Sequence, residues 1–471
     1  MLANTIIRFK ATTSPARVQQ NSYPFYPKFY SMSSLPQLDN ILKNLGIDRC
    51  NPMQIAVQKA VLKEQKIVLN APTGSGKTLG FLLPLFQQID LSKKACIQAI
   101  VICPTRELCL QIKEVVDQTQ LAFKSYCCYG GHPIKSELSN LTNPPTLLIG
   151  TPGRIADHLR RESIRLDTCT TLVLDEFDKS LELGFTKEMS FILGFLTALQ
   201  LRMLTSATNM DSIPEFVGMA DAHHLDFIKD SASKQLQIKA VVGSKEDKEK
   251  HLIQLTRQLC HDPLLIFCNQ RTIVEQMGDL LFNKGFFFDI FHGGLEQSAR
   301  EIALFKFKNG SNNILITTDL AARGIDISSI RNIIHYQLPH SEAEFIHRNG
   351  RTARMHATGT AYILLEEDKP WRDFLNEEVD YIELEETSID PFQPEWCTIY
   401  LSAGKKDKIS KFDIVGTLYK KVGLNKEDIG LIQVKENRSY VCIKKTALDK
   451  TIEILDKNKI KKKKIKVALA N

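Results

Sequence analysis

The chain has 471 residues, of which 43% are hydrophobic and 24% charged, with a formal net charge of +7. That composition belongs to a folded globular protein long enough for two to four domains, and it excludes a disordered chain. The longest apolar runs, such as "FLLPLF" at Phe81 to Phe86, fall far short of the about 18 residues that a membrane span requires, so no membrane partner is expected. Eleven cysteines occur without a CxxC pair, and an odd thiol count without framework spacing points to a reducing, cytoplasmic setting. Neither His223 and His224 nor Cys127 and Cys128 has a second pair at zinc spacing, so no zinc is expected.

In chain order, the first stretch (1–34) has basic but no acidic residues and is rich in Ser, Thr, Pro and Tyr. It resembles a mitochondrial transit peptide in composition; the alternatives are an unstructured extension, which we favour, or an upstream start with the true one at Met32. Strands then alternate with helices, the pattern of a parallel α/β sheet: "KIVLN", "QAIVICP", "TLLIG", "TLVLD" and "RMLTSAT". The alternation resumes with "PLLIFCN", "FFFDIFHGG", "NILITTD" and "NIIHYQL". The two halves resemble each other: "YCCYGGHPIKSEL" leads to "TLLIGTPGR" much as "FDIFHGGLEQSAR" leads to "NILITTDLAARG", so a duplicated α/β domain is the simplest account. An acidic stretch containing two prolines (377–395) reads as a linker. Beyond it, 396–471 holds 19 Lys/Arg against 8 Asp/Glu, a separate basic unit.

Two segments carry chemistry. In "VLNAPTGSGKTLGF" a strand enters a glycine-bearing turn and then Lys77 and Thr78 at the start of an apolar helix. Thr73, Gly74, Ser75 and Gly76 offer backbone N–H groups to phosphate oxygens, Lys77 neutralises the terminal phosphates, and the Thr78 hydroxyl ligates Mg²⁺. The first glycine of the usual pattern is Ala71 here. In "TLVLDEFDKS", Asp175, Glu176 and Asp178 crowd the end of an apolar strand. Like charges that close require a cation. A divalent metal on a nucleoside triphosphate supplies one, with Asp175 holding hydrated Mg²⁺ and Glu176 orienting the attacking water.

With "NPMQ", "PTREL", "GG", "TPGR", "SAT", "IFCN", "HGGLEQSAR", "TTDLAARGID" and "HRNGRTAR" in order, the chain resembles the DEAD-box RNA helicases from about Leu35 to Leu365. The resemblance implies two tandem RecA-like parallel-sheet domains, 35–230 and 231–376, with ATP and Mg²⁺ as cofactors. It implies that Gln54 reads the adenine edge. It makes Ser206, Ala207 and Thr208, touched by Asp178, the coupling segment between hydrolysis and RNA. Arg351 and Arg354 resemble arginine fingers from the second domain, with Asp326 near the same interface. Its RNA contacts map to Thr105, Arg106, Gly131, Thr151, Gly153 and Arg154, and to Gln297, Arg300, Thr318 and Arg323. Such residues grip phosphate and sugar with little base specificity. Where the family has alanine in motif II this chain has Phe177, for which activity with altered packing against "SAT" is expected.

The basic unit reads as βαββαβ, the order of an RRM, but keeps the RNP1 pattern poorly: only Tyr440 is available for base stacking, with Tyr400 assisting, so binding through shape and phosphate charge is expected. The stretch "YLSAGKKDKISKFDIVG" resembles the carboxyl-terminal domain of the DbpA and YxiN helicases, including Lys405, Lys406 and Lys408. That resemblance implies an α+β RRM-like RNA-binding domain directed to large-subunit ribosomal RNA. An ATP-dependent RNA helicase is therefore the expected function. The alternative is a nucleotide-gated RNA clamp with little turnover, which Phe177 makes conceivable.

Overall fold

The structure is a computed structural model that describes residues 38–93, 95–210, 212–228, 236–319, 330–352, 358–367, 375, 379–385, 390–461 and 463–470. Residues 1–34, Arg323, Asp326 and Arg354, which the sequence singled out, lie outside the described residues.

The first sheet comprises β1 (Lys66–Asn70), β2 (Ala99–Ile102), β3 (Ser125–Cys128), β4 (Leu147–Gly150), β5 (Thr171–Leu174), β6 (Leu201–Ser206) and β7 (His223–Asp226), in the order β3-β4-β2-β5-β6-β1-β7. The second comprises β8 (Leu236–Gly243), β9 (Leu264–Phe267), β10 (Phe288–Phe291), β11 (Ile314–Thr317), β12 (Asn332–His335), β13 (Gly359–Glu366) and β14 (Val379–Tyr381), in the order β10-β11-β9-β12-β13-β8-β14. Strand for strand, the second order repeats the first. The strand pairs in both sheets run parallel. Central strands β2, β4, β5, β9 and β11 are buried at every position, as expected where helices cover both faces. The edge strands β3, β7, β10 and β14 are only partly buried.

Separate apolar clusters lie on the two faces of the first sheet, around Phe81 and Leu82 on one and Phe177 and Met189 on the other. Phe177 is fully buried there beside Leu204 and Val217, so the motif II aromatic ring is a core residue behind the acidic strand end. Part of the stretch read as linker belongs to the second lobe: β14 extends the sheet beside β8, and Ile382 and Phe392 pack on its core.

The third unit contains β15 (Trp396–Leu401), β16 (Ile429–Val434), β17 (Ser439–Lys444), a short hairpin of β18 (Lys459–Ile460) and β19 (Lys463–Lys464), and β20 (Val467–Leu469). Its antiparallel sheet has the order β16-β17-β15-β20. Helices Lys411–Thr417 and Leu448–Lys457 pack on one face through Ile414 and Leu455, with Leu418 just beyond the first helix. No helix among the described residues is long and apolar enough to cross a membrane.

Candidate functional site

All strands of a parallel sheet end on one edge, and the loops there form the natural ligand crevice. The turn after β1 uses Gly74 and Gly76 at φ of 81° and 87°, a region closed to most side chains. Ala71 is not among the positive-φ residues, which explains why alanine suffices there; its N–H bonds Ser206 O at 3.1 Å and ties the turn to the end of β6. Lys77 starts the helix Lys77–Gln87, is 8% exposed, and donates from Nζ to Ala71 O and, at 3.0 Å, to Pro72 O. Burial lowers its pKa, while Glu176, Asp175 and Asp178 pull it back up. Gln54 closes a capping box with Asn51 and donates from Nε2 to Gly76 O at 3.2 Å, while Asn51 Nδ2 donates to Ser75 O at 2.8 Å. The helix start at Pro52 is thereby fastened to the phosphate-loop backbone.

At the end of β5, Asp175 is 3% exposed. Burial and then the charge of Glu176 push its pKa up to about 6, against bonds from the Thr205 hydroxyl and the Glu176 N–H and the charge of Lys77. Glu176 has left-handed backbone, φ 46° and ψ 53°, a conformation that costs a non-glycine residue about 1–3 kcal/mol. Among the described residues its buried Oε2 has no hydrogen-bond partner, nor do Thr73 Oγ1 and Ser75 Oγ. Such oxygens, on the phosphate turn that leads into the half-buried Thr78 and at the acidic strand end, are hard ligands that suit a magnesium triphosphate. Burial alone would raise the carboxyl pKa of Asp178, but His347, Thr208 and Ser206 hold it below the usual value. Thr208 Oγ1 donates to Asp178 Oδ2 at 2.9 Å, and Ser206 Oγ donates to Thr208 O at 2.6 Å.

The second lobe meets this edge directly. His347 Nε2 lies 3.3 Å from Asp178 Oδ2, both groups being buried. Gly350 packs so closely on the phosphate loop that a Cβ there would lie 2.9 Å from Thr73 Cβ. Arg351, 2% exposed, is near enough to Lys77 to depress its pKa. Phosphate turn, acidic strand end and arginine thus converge, with His347 an inter-lobe contact that the sequence did not single out.

Beside the nucleotide edge a cleft of roughly 790 Å³ is lined by Thr105, Arg106, Gly131, Thr151, Gly153, Arg154 and Arg300, all expected RNA contacts, together with Glu107 and His132. The two lobes grip each other across it: Arg106 Nη1 donates to Gln297 Oε1 at 3.2 Å, and Arg300 Nη1 lies 3.1 Å from Glu107 Oε1. Gly131 lies at φ 97°, a backbone region that favours glycine, and the Arg106 guanidinium crosses directly over it. Thr105 spends its hydroxyl on capping the helix Arg106–Gln118, accepting from Leu108 N at 3.3 Å. Thr318 follows β11 on the second lobe, half-buried.

Arg154 is positioned by a buried carboxylate. Glu137 is fully buried, with His158 Nε2 at 2.5 Å, His132 Nε2 at 2.6 Å and Arg154 Nε at 3.3 Å. Arg154 also donates from Nε to Tyr129 O at 3.0 Å. Sequence reading missed Glu137. The available signal was its position four residues before Leu141, on the face that both bury.

One expectation is corrected. Tyr440, assigned to base stacking, is 1% exposed, with its ring 6.0 Å from Phe305 of the second lobe. Ala470, Ile302 and Tyr400 complete the contact. The face of β15 and β17 that would stack bases is covered by the helix Gln297–Lys308 and the turn after it, where Ser311 and Asn309 bond Thr398 at 2.8 and 2.9 Å. A tyrosine on an apolar face buries its ring wherever another apolar surface is at hand. Lys405, Lys406 and Lys408 lie elsewhere on this unit, exposed.

A cleft between two equivalent parallel sheets, with a phosphate loop, an acidic strand end and an arginine closing from opposite sides, defines a nucleotide-driven helicase core. The DEAD/DEAH box helicase family matches residues 51–216, the helicase conserved C-terminal domain residues 247–356, and the DbpA RNA binding domain residues 398–469. The ATP-dependent RNA helicase DbpA of Escherichia coli (strain K12) is 33% identical over 456 residues, covering 94% of this chain and 99% of that protein. Its namesake in Bacillus subtilis (strain 168) is 30% identical, covering 91% and 96%. S. cerevisiae Dbp5 bound to RNA and ADP BeF3 superposes with a TM-score of 0.65 at 25% identity, over 75% of this chain and 95% of that one. Mss116p bound to ssRNA and AMP-PNP shares the fold, with a TM-score of 0.65 at 23% identity over 74% and 78%. The chain belongs to the DbpA family of DEAD-box ATP-dependent RNA helicases, so it is an RNA-dependent ATPase that binds ATP and RNA.

Proposed function

We propose that this helicase couples ATP hydrolysis to RNA remodelling through closure of its two lobes, and that its target is structured large-subunit ribosomal RNA in the cytoplasm. The convergence of Gly350 on Thr73, Arg351 on Lys77 and His347 on Asp178 supports this reading most directly. Lys77 and the turn from Thr73 to Gly76 bind the triphosphate, and Gln54 secures the loop and reads the adenine. Thr78 and Asp175 hold Mg²⁺, which when bound neutralises charge on the phosphate oxygens. Glu176, aimed by its left-handed backbone, orients and deprotonates the attacking water, and Arg351 with Arg354 offsets charge developing in the transition state. Asp178, Ser206, Ala207 and Thr208 report the state of this site to the RNA cleft. Because ATP and RNA each bridge the lobes, each raises affinity for the other by the same factor.

In this reading 35–230 and 231–376 are the motor lobes and 396–471 supplies the RNA anchor through Lys405, Lys406 and Lys408. The ribosomal target is supported by the likeness of that unit to the DbpA RNA binding domain. ATP hydrolysis measured with and without RNA, for wild type and Glu176→Gln, tests the mechanism: RNA stimulation that vanishes in the variant is expected. Unchanged turnover in the variant would refute the role of Glu176. Preference for ribosomal over unrelated structured RNA, assayed by competition, tests the target.

A further inference from the structure

The third unit lacks the open sheet face on which RRM-like domains stack bases, because Tyr440 and Tyr400 are turned against Phe305 of the second lobe. A different aromatic is presented to solvent. Phe412, the second residue of the helix Lys411–Thr417, is 88% exposed, more than any other large apolar side chain among the described residues. We propose that Phe412 is the base-stacking site of this unit, taking an unpaired nucleotide of structured RNA while the surrounding lysines hold the flanking phosphates. The inference rests on the reading of residues 396–471 as an RNA anchor.

The environment of the ring selects the ligand. Lys405, Lys406, Lys408 and Lys411 precede it and are exposed. The β18–β19 hairpin folds back onto the same segment: Lys461 Nζ lies 2.9 Å from Asp413 Oδ2 and donates to Lys408 O at 2.6 Å, and Lys463 pairs with Asp407. Both aspartates are thereby neutralised, and they also cap their own turns through Gly404 N and Ser410 N. Across 405–413 and 459–466 there are ten lysines against these two acids. A ring standing alone in a cationic field is poorly suited to a protein interface, which buries a contiguous apolar core depleted of lysine. It matches a polyanion carrying flat apolar faces, where phosphates meet ammonium groups and a base covers the ring. The base must be unpaired and splayed, since neighbours in a helix already cover both faces of a paired base.

The test uses the full chain with Phe412→Ala, Phe412→Trp and the double charge reversal Lys406→Glu with Lys408→Glu. The probes are a labelled RNA hairpin with a short unpaired tail and a blunt duplex of equal length, followed by anisotropy over a range of salt. Stacking on one base corresponds to roughly 5- to 140-fold in affinity. Phe412→Ala is expected to lose that factor on the tailed hairpin alone, with an unchanged salt slope, and Phe412→Trp to keep the affinity while its emission is quenched by the tail. The charge reversal is expected to weaken both probes and flatten the salt slope. If the charge reversal weakens binding but Phe412→Ala binds the tailed hairpin as wild type does, the anchor reading survives and the stacking site is refuted. If none of the variants changes binding, both fall. Loss of self-association in Phe412→Ala by sedimentation, with RNA affinity intact, would likewise overturn the proposal by assigning the ring to a second copy.

Discussion

Replacing Glu137 should reveal how far the RNA cleft depends on a charge that does not line it. Its carboxylate is fully buried and bracketed by His158, His132 and Arg154 at 2.5, 2.6 and 3.3 Å. Removing one partner of a buried charge network typically costs 3–5 kcal/mol, because the remaining charge is stranded. Arg154 keeps its bond to Tyr129 O and one to His132 O, so Glu137→Ala belongs at the lower end, about 3 kcal/mol. Glu137→Gln retains the shape and one acceptor oxygen. Its NH2 replaces the other oxygen and cannot accept from the donor it faces, so one bond is lost along with the charge assistance of the rest, about 2 kcal/mol. Amide exchange of peptides covering β3 and β4 in the full chain measures both values. Because the network also fixes the direction of Arg154 and the His132 turn at the cleft wall, RNA affinity should fall about tenfold in Glu137→Ala, the equivalent of one charge-assisted phosphate contact. Basal ATP hydrolysis should be unaffected, since Glu137 makes no contact with the nucleotide edge. An alanine variant with wild-type protection and wild-type RNA affinity would refute the reasoning, as would a glutamine variant more damaging than alanine.

Two further outcomes follow from contacts between the units. His347→Ala removes the inter-lobe contact to Asp178 and should lower RNA-stimulated turnover several-fold while leaving nucleotide-free RNA binding intact; equal stimulation in the variant would show that the contact does not assist closure. A double-mutant cycle of Phe305→Ala and Tyr440→Ala, read from Trp396 emission during urea titration in a Trp371→Phe background, should give a coupling of about 0.5–1.5 kcal/mol. Zero coupling would mean that the third unit is not docked through this pair.

Local motifs were legible because their chemistry is local. A phosphate turn needs its glycines and lysine within a few residues, and the acids of "DEFD" betray their need for a cation by crowding alone. The duplication was legible as well, since equal strand orders arise from equal alternations of apolar run and helix. Tyr440 was not. Period-two alternation tells which face of a sheet a side chain occupies, but not whether RNA, water or another domain covers that face. The same limit hid Glu137, whose partners His132 and His158 come from a loop and a neighbouring helix, and Glu107, which meets Arg300 across the cleft.

The amino-acid sequence by itself determined the two parallel-sheet lobes, the phosphate turn at Lys77, the acidic strand end at Asp175 and Glu176, and a separate basic unit, because each depends on residue types at short, fixed spacing. Only the tertiary structure decided which residues meet across the lobes, that the sheet face of the basic unit is buried against Phe305, and that Phe412 stands free among the lysines. Those outcomes depend on how large surfaces compete to cover one another, a free energy summed over residues far apart in the chain.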